Sequence, residues 1–148
     1  MNVTDIIEGC YQLMEGDFTN AGVASSELKS ILTKLGVPLD IVRRTAIAAF
    51  EAEMNVIIHG VAGTMHYAIS ETEVKITFTD MGPGIENIEL AMKEGYSTAP
   101  DWVREMGWGA GMGLPNIKKN TDEMKIDSAA GEGTTLEITI KLRKDGPC

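Results

Sequence analysis

Residues 51–84 read EAEMNVIIHGVAGTMHYAISETEVKITFTDMGPG, and the change of hydrophobic period along them decides the fold. The first nine continue a helical pattern that opens at Asp40, the predicted N-cap. Ile41, Ile47, Phe50, Met54, Ile57 and Ile58 recur at helical spacing until Gly60, so the helix ends near His59. Two β-type runs follow, Thr64 to Ser70 and Val74 to Thr79, joined by the polar Glu71 to Glu73. They predict an antiparallel hairpin with Val74, Ile76 and Phe78 inward. The second run leads straight into the turn-rich DMGPGI.

Working outward, Ala24, Leu28, Ile31, Leu32 and Leu35 predict an earlier helix from Thr19, stopped by a C-cap glycine at Gly36 and by Pro38. Before it, residues 10–16 carry a weak strand signal between Gly9 and Gly16. On the other side, Asn87 to Glu94 read as helix, and Gly95 to Gly113 hold five glycines and Pro100, the composition of a mobile loop. Leu114 to Asp122 read as a further helix. Met124 to Ser128 and Thr135 to Leu142 read as strands around the turn AAGEGT. Helices early and strands late predict an α+β protein, a two-layer sandwich with helices on one face of a mixed, mostly antiparallel sheet.

The 148 residues fit one domain spanning 1–148, and 43% apolar content is enough for a core. A formal net charge of −9 repels phosphate backbones and anionic lipids, and no basic patch offsets it, which argues against nucleic-acid and membrane-surface roles. No apolar run reaches bilayer length and the first 13 residues carry Asp5 and Glu8, so a cytoplasmic location is expected. Cys10 and Cys148 are expected to be free thiols.

Four constellations stand out. Glu51, Asn55 and His59 are spaced by four and drift only about 40° per step, which puts them on one helix face. That face is either solvated or lines a site. Glu53 lies about 200° from Glu51 and reads as structural or solvated. Asp80-Met81-Gly82-Pro83-Gly84 closes a strand, and serves either as a turn or as a carboxylate beside open backbone. Gly107 to Leu114 (GWGAGMGL) offers backbone N–H groups ahead of a helix, suited to phosphate, or else a linker. A dinucleotide fingerprint fails there because Met112 and Leu114 stand where glycine is needed, and no GK[ST] marks a P-loop. Gly131-Glu132-Gly133-Thr134 reads alone as a hairpin turn. His59 and His66 are too few and too far apart for a metal cluster.

The order E-x-x-x-N-x-x-x-H, D-x-G-x-G, glycine-rich stretch, G-x-G-T resembles the GHKL ATP-binding superfamily, with its Bergerat-type fold, over roughly residues 10–142. DMGPGI, EGYST, GAGMGLPNIKK and SAAGEGT resemble its anti-sigma-factor serine/threonine kinases, in particular the switch kinases that act on STAS-domain proteins. The segment PDWVREM is longer than in those switch kinases and resembles the anti-sigma branch more, leaving the choice of partner open.

The resemblance implies ATP or ADP with Mg²⁺ as cofactors. Asn55 is the implied metal ligand and Glu51 the implied catalytic base. Asp80 would accept the adenine amino group, with Gly82 and Gly84 in its loop and Gly84 leaving room for the ring, and Thr134 would support the base. Gly109, Gly111, Met112, Gly113 and Leu114 would hold phosphates through their N–H groups, and Arg104 would reach the γ-phosphate. The implied partners are a STAS-domain regulator and, as a second candidate, a sigma factor; a homodimer is compatible.

Two functions compete. One is phosphoryl transfer to a Ser or Thr of the partner, and the other is a nucleotide-gated binding module without turnover. Glu51 favours the first, because pure binding needs no base. A detached histidine-kinase catalytic part fits less well, since no long helix with a phosphoacceptor His precedes residue 19.

Overall fold

The computed structural model describes residues 6–59, 61–85, 88, 92–93 and 113–142. Its element order is β1 (Ile7–Met14), α1 (Val23–Lys34), α2 (Leu39–His59), β2 (Ala62–Ile69), β3 (Glu73–Asp80), α3 (Gly113–Lys119), β4 (Glu123–Ser128) and β5 (Thr134–Lys141). The strands form one sheet in the order β1-β2-β3-β5-β4, and every pairing among the described residues is antiparallel. The expected α+β sandwich with a mostly antiparallel sheet is present, and among the described strands no parallel pair occurs.

Period-2 alternation sends one face of each strand to the helices. Leu13, Met65, Tyr67, Ile69, Val74, Ile76, Phe78, Leu136, Ile138 and Ile140 are all buried there, against Leu28 and Leu32 of α1 and Ala48, Ala49, Ala52 and Val56 of α2. Val74, Ile76 and Phe78 point inward as the alternation requires. Ile47, placed in the helical stripe by spacing, is 39% exposed, because α2 turns that position away from the sheet.

The helix ends correct the sequence reading in three places. α1 begins at Val23 rather than Thr19, since Asp17 and Asn20 close a turn and Gly22 is left-handed at φ 90°. Its other end is the expected glycine stop. Gly36 at φ 79° donates to the Thr33 carbonyl and Val37 donates to that of Leu32, a Schellman pair. α2 begins one residue before Asp40, with the Val42 N–H on the Pro38 carbonyl, so Asp40 sits in the first turn, facing the positive end of the helix dipole, rather than at the cap. α3 stops at Lys119, short of Asp122. The Asp122 N–H already pairs with the Thr139 carbonyl, and its carboxylate accepts the Lys141 N–H at 2.7 Å.

β1 runs Ile7–Met14, three residues earlier than the sequence signal. Gly9 lies inside it, at a position where a Cβ would collide with the Tyr67 ring. Of the helix expected over 87–94, the described residues retain one turn's bond, Met92 N–H to the Ile88 carbonyl at 3.0 Å.

Candidate functional site

The sheet's inward face is apolar until its last row. Register places Tyr11, Met65, Phe78, Leu136 and Ile126 in one row, and two residues further along Leu13, Gly63, Asp80, Thr134 and Ser128 in the next. Three of the five residues in this last row are thus polar and half-buried, a pattern that a core alone does not call for. α2 comes down onto this end because Gly63 has no side chain. A Cβ at Gly63 would stand 2.7 Å from Val56 Cγ1 and 3.1 Å from Asp80 Cβ.

One wall is built by the two turns that follow β3 and precede β5. Asp80 Oδ1 accepts the Gly82 N–H at 2.9 Å, an Asx-type turn that holds the carboxylate at the strand end. Ser128 Oγ accepts the Ile85 N–H at 2.8 Å, donates to the Gly133 carbonyl at 2.9 Å and lies 2.8 Å from Thr134 Oγ1. With the Ser128 proton on Gly133, the Thr134 proton goes to Ser128, and Thr134 Oγ1 presents lone pairs outward. The Gly131 N–H adds a bond to the Pro83 carbonyl.

Gly84 (φ 78°) and Gly133 (φ 76°) are left-handed, and a Cβ on either would run into backbone, the Ala129 carbonyl at Gly84 and the Asp80 carbonyl at Gly133. The space at Gly84, which the family resemblance assigns to a ligand ring, is where these two turns meet. D-x-G-x-G and G-x-G-T, some fifty residues apart in the chain, therefore form one backbone unit.

The other wall is α2 with α3. Glu51, Asn55 and His59 share one face and are each half-buried, neither the fully solvated stripe nor core. Asn116 Nδ2 of α3 lies 3.5 Å from Glu51 Oε1. A Cβ at Gly113 would stand 3.0 Å from Asn55 Oδ1, so glycine at the first position of α3 keeps that oxygen from being covered. Leu114 is buried and anchors the start of α3 in the core. At the end of α2, burial pushes the His59 imidazole below its usual pKa, opposed by the nearby carboxylates of Asp80 and Glu15.

Of the residues singled out from sequence, the structure brings Glu51, Asn55, Asp80, Gly82, Gly84, Gly113, Leu114 and Thr134 to this end of the sheet, on α2, the two turns and α3. Arg104, Gly109, Gly111 and Met112 lie outside the described residues. Sequence reasoning missed Ser128, Gly63 and Asn116. Only the position of Ser128 just before the AAGEGT turn hinted at a role.

It also left Glu53 between two readings, and the structure decides them. Glu53 is 1% exposed, and its carboxylate accepts the N–H groups of Gly22 at 3.0 Å and Ser25 at 3.1 Å. It caps α1 from a neighbouring helix, doing at long range what a local N-cap side chain does.

Two shallow cavities of about 440 and 540 Å³ lie elsewhere, one beside β4 and one at the start of α1. Neither touches Glu51, Asn55 or Asp80, which marks them as surface grooves unrelated to this wall pair.

Residues 14–140 match the histidine kinase-like ATPase domain, and the chain belongs to that family, within the GHKL superfamily. Among its relatives it falls in the anti-sigma-factor kinase branch. It is similar to the anti-sigma F factor of Clostridium acetobutylicum, 33% identical over 128 residues, 83% of this chain and 86% of that one. The anti-sigma F factor of Pasteuria penetrans is 29% identical over 88% of this chain and 91% of its own. The serine/threonine-protein kinase RsbT of Bacillus subtilis is 40% identical over 70 residues, 47% of each chain. A solved structure of RsbU and RsbW domains from Mycobacterium tuberculosis shares the fold, with a TM-score of 0.58 over 90% of this chain and 32% of that one, at 19% identity.

Proposed function

We propose that this chain is an ATP- and Mg²⁺-dependent serine/threonine kinase of the anti-sigma type, phosphorylating a STAS-domain regulator and thereby controlling a sigma factor. The observation that carries it is the polar row Asp80–Thr134–Ser128 at the end of an apolar face, the end where α2 sets Val56, next to Asn55, against Gly63 and beside Asp80. The donor set suits the ligand. Asp80 offers an acceptor for an exocyclic amine, Thr134 offers lone pairs beside it, and Asn55 offers a neutral oxygen suited to a hard cation that also binds phosphates. Mg²⁺ would supply charge neutralisation across the phosphates.

In this reading Asp80 and Thr134 set the adenine edge, Asn55 and the Gly113–Leu114 amides hold the phosphate end, and Glu51 takes the proton of the attacking hydroxyl. The new bond joins that oxygen to the γ-phosphorus as the bond to the β-bridging oxygen breaks. Arg104 and the glycines at 109 and 111, with Met112, complete the phosphate contacts. Calorimetry tests the binding half. Both ATP and ADP should bind with millimolar Mg²⁺ and more weakly with chelator present, and a folded protein giving no heat with either nucleotide contradicts the reading.

A further inference from the structure

Helix α3 lies across the polar line of α2 and meets it twice, with Gly113 against Asn55 and Asn116 against Glu51. The pairing order, 113 to 116 against 55 to 51, runs the two helices antiparallel at this crossing, and the rise between contacts, roughly 4.5 Å on α3 and 6 Å on α2, lets both form at once. α3 is pinned from beneath by Ile117 at 0% and Leu114 at 7% exposure. Behind the contact, Asn120 Nδ2 caps the Asn116 carbonyl at 2.8 Å.

The Asn116 backbone is therefore fixed by others, and its side chain, from a residue type that does not favour helix interiors, is spent on Glu51. An ionised carboxylate only accepts, so the amide must face it with Nδ2.

We propose that Asn116 is a positioning residue for Glu51: by donating to Oε1 it fixes the carboxylate's rotation and leaves Oε2 as the atom turned to the attacking hydroxyl. The role rests on the reading of Glu51 as the base. It also explains how a seven-residue helix serves both ends of the reaction, since the same element that approaches the metal ligand Asn55 aims the base.

The test uses Asn116→Ala, which removes the donor, and Asn116→Asp, which keeps the shape but sets acceptor against acceptor. Each is made alone and with Glu51→Gln. The readouts are phosphate transfer from MgATP to a STAS-domain protein that the wild type phosphorylates, MgADP affinity by calorimetry, and Tm.

Asn116→Ala should slow phosphate transfer by roughly ten- to a hundredfold, the range of one hydrogen bond to a charged group, with MgADP affinity within about twofold. Asn116→Asp should slow it more. In the Glu51→Gln background neither should slow it further, and the Tm losses of Asn116→Asp and Glu51→Gln should fall short of their sum, because the Gln amide can donate to the new carboxylate.

Equal slowing by Asn116→Ala in both backgrounds, or Tm losses that simply add, overturns the positioning role. A Glu51→Gln protein turning over at the wild-type rate instead sinks the base reading itself. The two failures are distinct, because the Tm cycle reports the contact whether or not Glu51 is the base.

Discussion

Glu51 and Glu53 stand two residues apart on α2, and the helix turns them to opposite sides. Glu53 faces α1, is sealed from water and has its two oxygens occupied by backbone N–H groups at 3.0 and 3.1 Å. Glu51 faces α3, is half-buried and meets one side-chain amide at 3.5 Å. The first carboxylate completes a structure, because the N–H groups at the start of α1 would otherwise be buried without acceptors. The second retains acceptor capacity at the end of the sheet where the polar row lies. Identical chemistry on one helix thus divides by what faces it, into a structural role for Glu53 and, in the function proposed above, a reactive one for Glu51.

The division is sharpest if the two carboxylates fail in different measurements. Glu53→Ala should cost roughly 3 kcal/mol, from two lost charge-assisted bonds and a cavity, and lower Tm by about 6–12 °C. If the thermal melt is unchanged, α1 has other capping and the structural half of the comparison breaks. Gly133→Ala comes next, at roughly 2–3 kcal/mol, because the added methyl meets the Asp80 carbonyl in a left-handed conformation. The loss should appear in a denaturant midpoint, with nucleotide affinity falling as the Asp80 turn shifts. A stable variant with full affinity would show that the two turns are not one unit.

The smallest effect concerns pH. Burial lowers the His59 pKa in the fold, so the unfolded chain takes up the proton first as pH drops. That part of stability is intact above the unfolded value of about 6.5 and is lost as pH falls below it toward the lowered folded value. Tm should decline over this window in wild type, and His59→Asn should lose that component. An identical slope in the variant would assign the decline to other groups.

Much of this was legible in sequence, for physical reasons. The alternation in Val74–Thr79 and the spacing from Asp40 to His59 are direct prints of burial, and Gly36 marked a helix stop because a left-handed residue was required there. Local signals failed where the cause is distant. The start of α1 depends on Glu53, 31 residues away from Gly22, and the glycine inside β1 at position 9 leaves room for the Tyr67 ring of a neighbouring strand. In the site, Glu51, Asn55 and Asp80 were visible by spacing and strand position. Ser128 and Asn116 were not, since a serine ending a strand and an asparagine in a short helix are ordinary until tertiary contact gives each its partner. Gly63 was likewise silent, being one glycine at the head of a hairpin whose neighbour is another helix.

The central claim is that Glu51 serves chemistry and not binding, while the helix that carries it stands without it. The direct measurement is Glu51→Gln, followed for Mg²⁺–ATP affinity and for phosphate transfer to a STAS-domain protein that the wild type phosphorylates. Affinity should stay within severalfold and Tm close to wild type, while transfer falls by roughly 10²–10⁴. Transfer at the wild-type rate contradicts the assignment of Glu51. A wild type that binds nucleotide yet labels no STAS-domain protein contradicts the kinase and leaves a nucleotide-gated binding module as the better account.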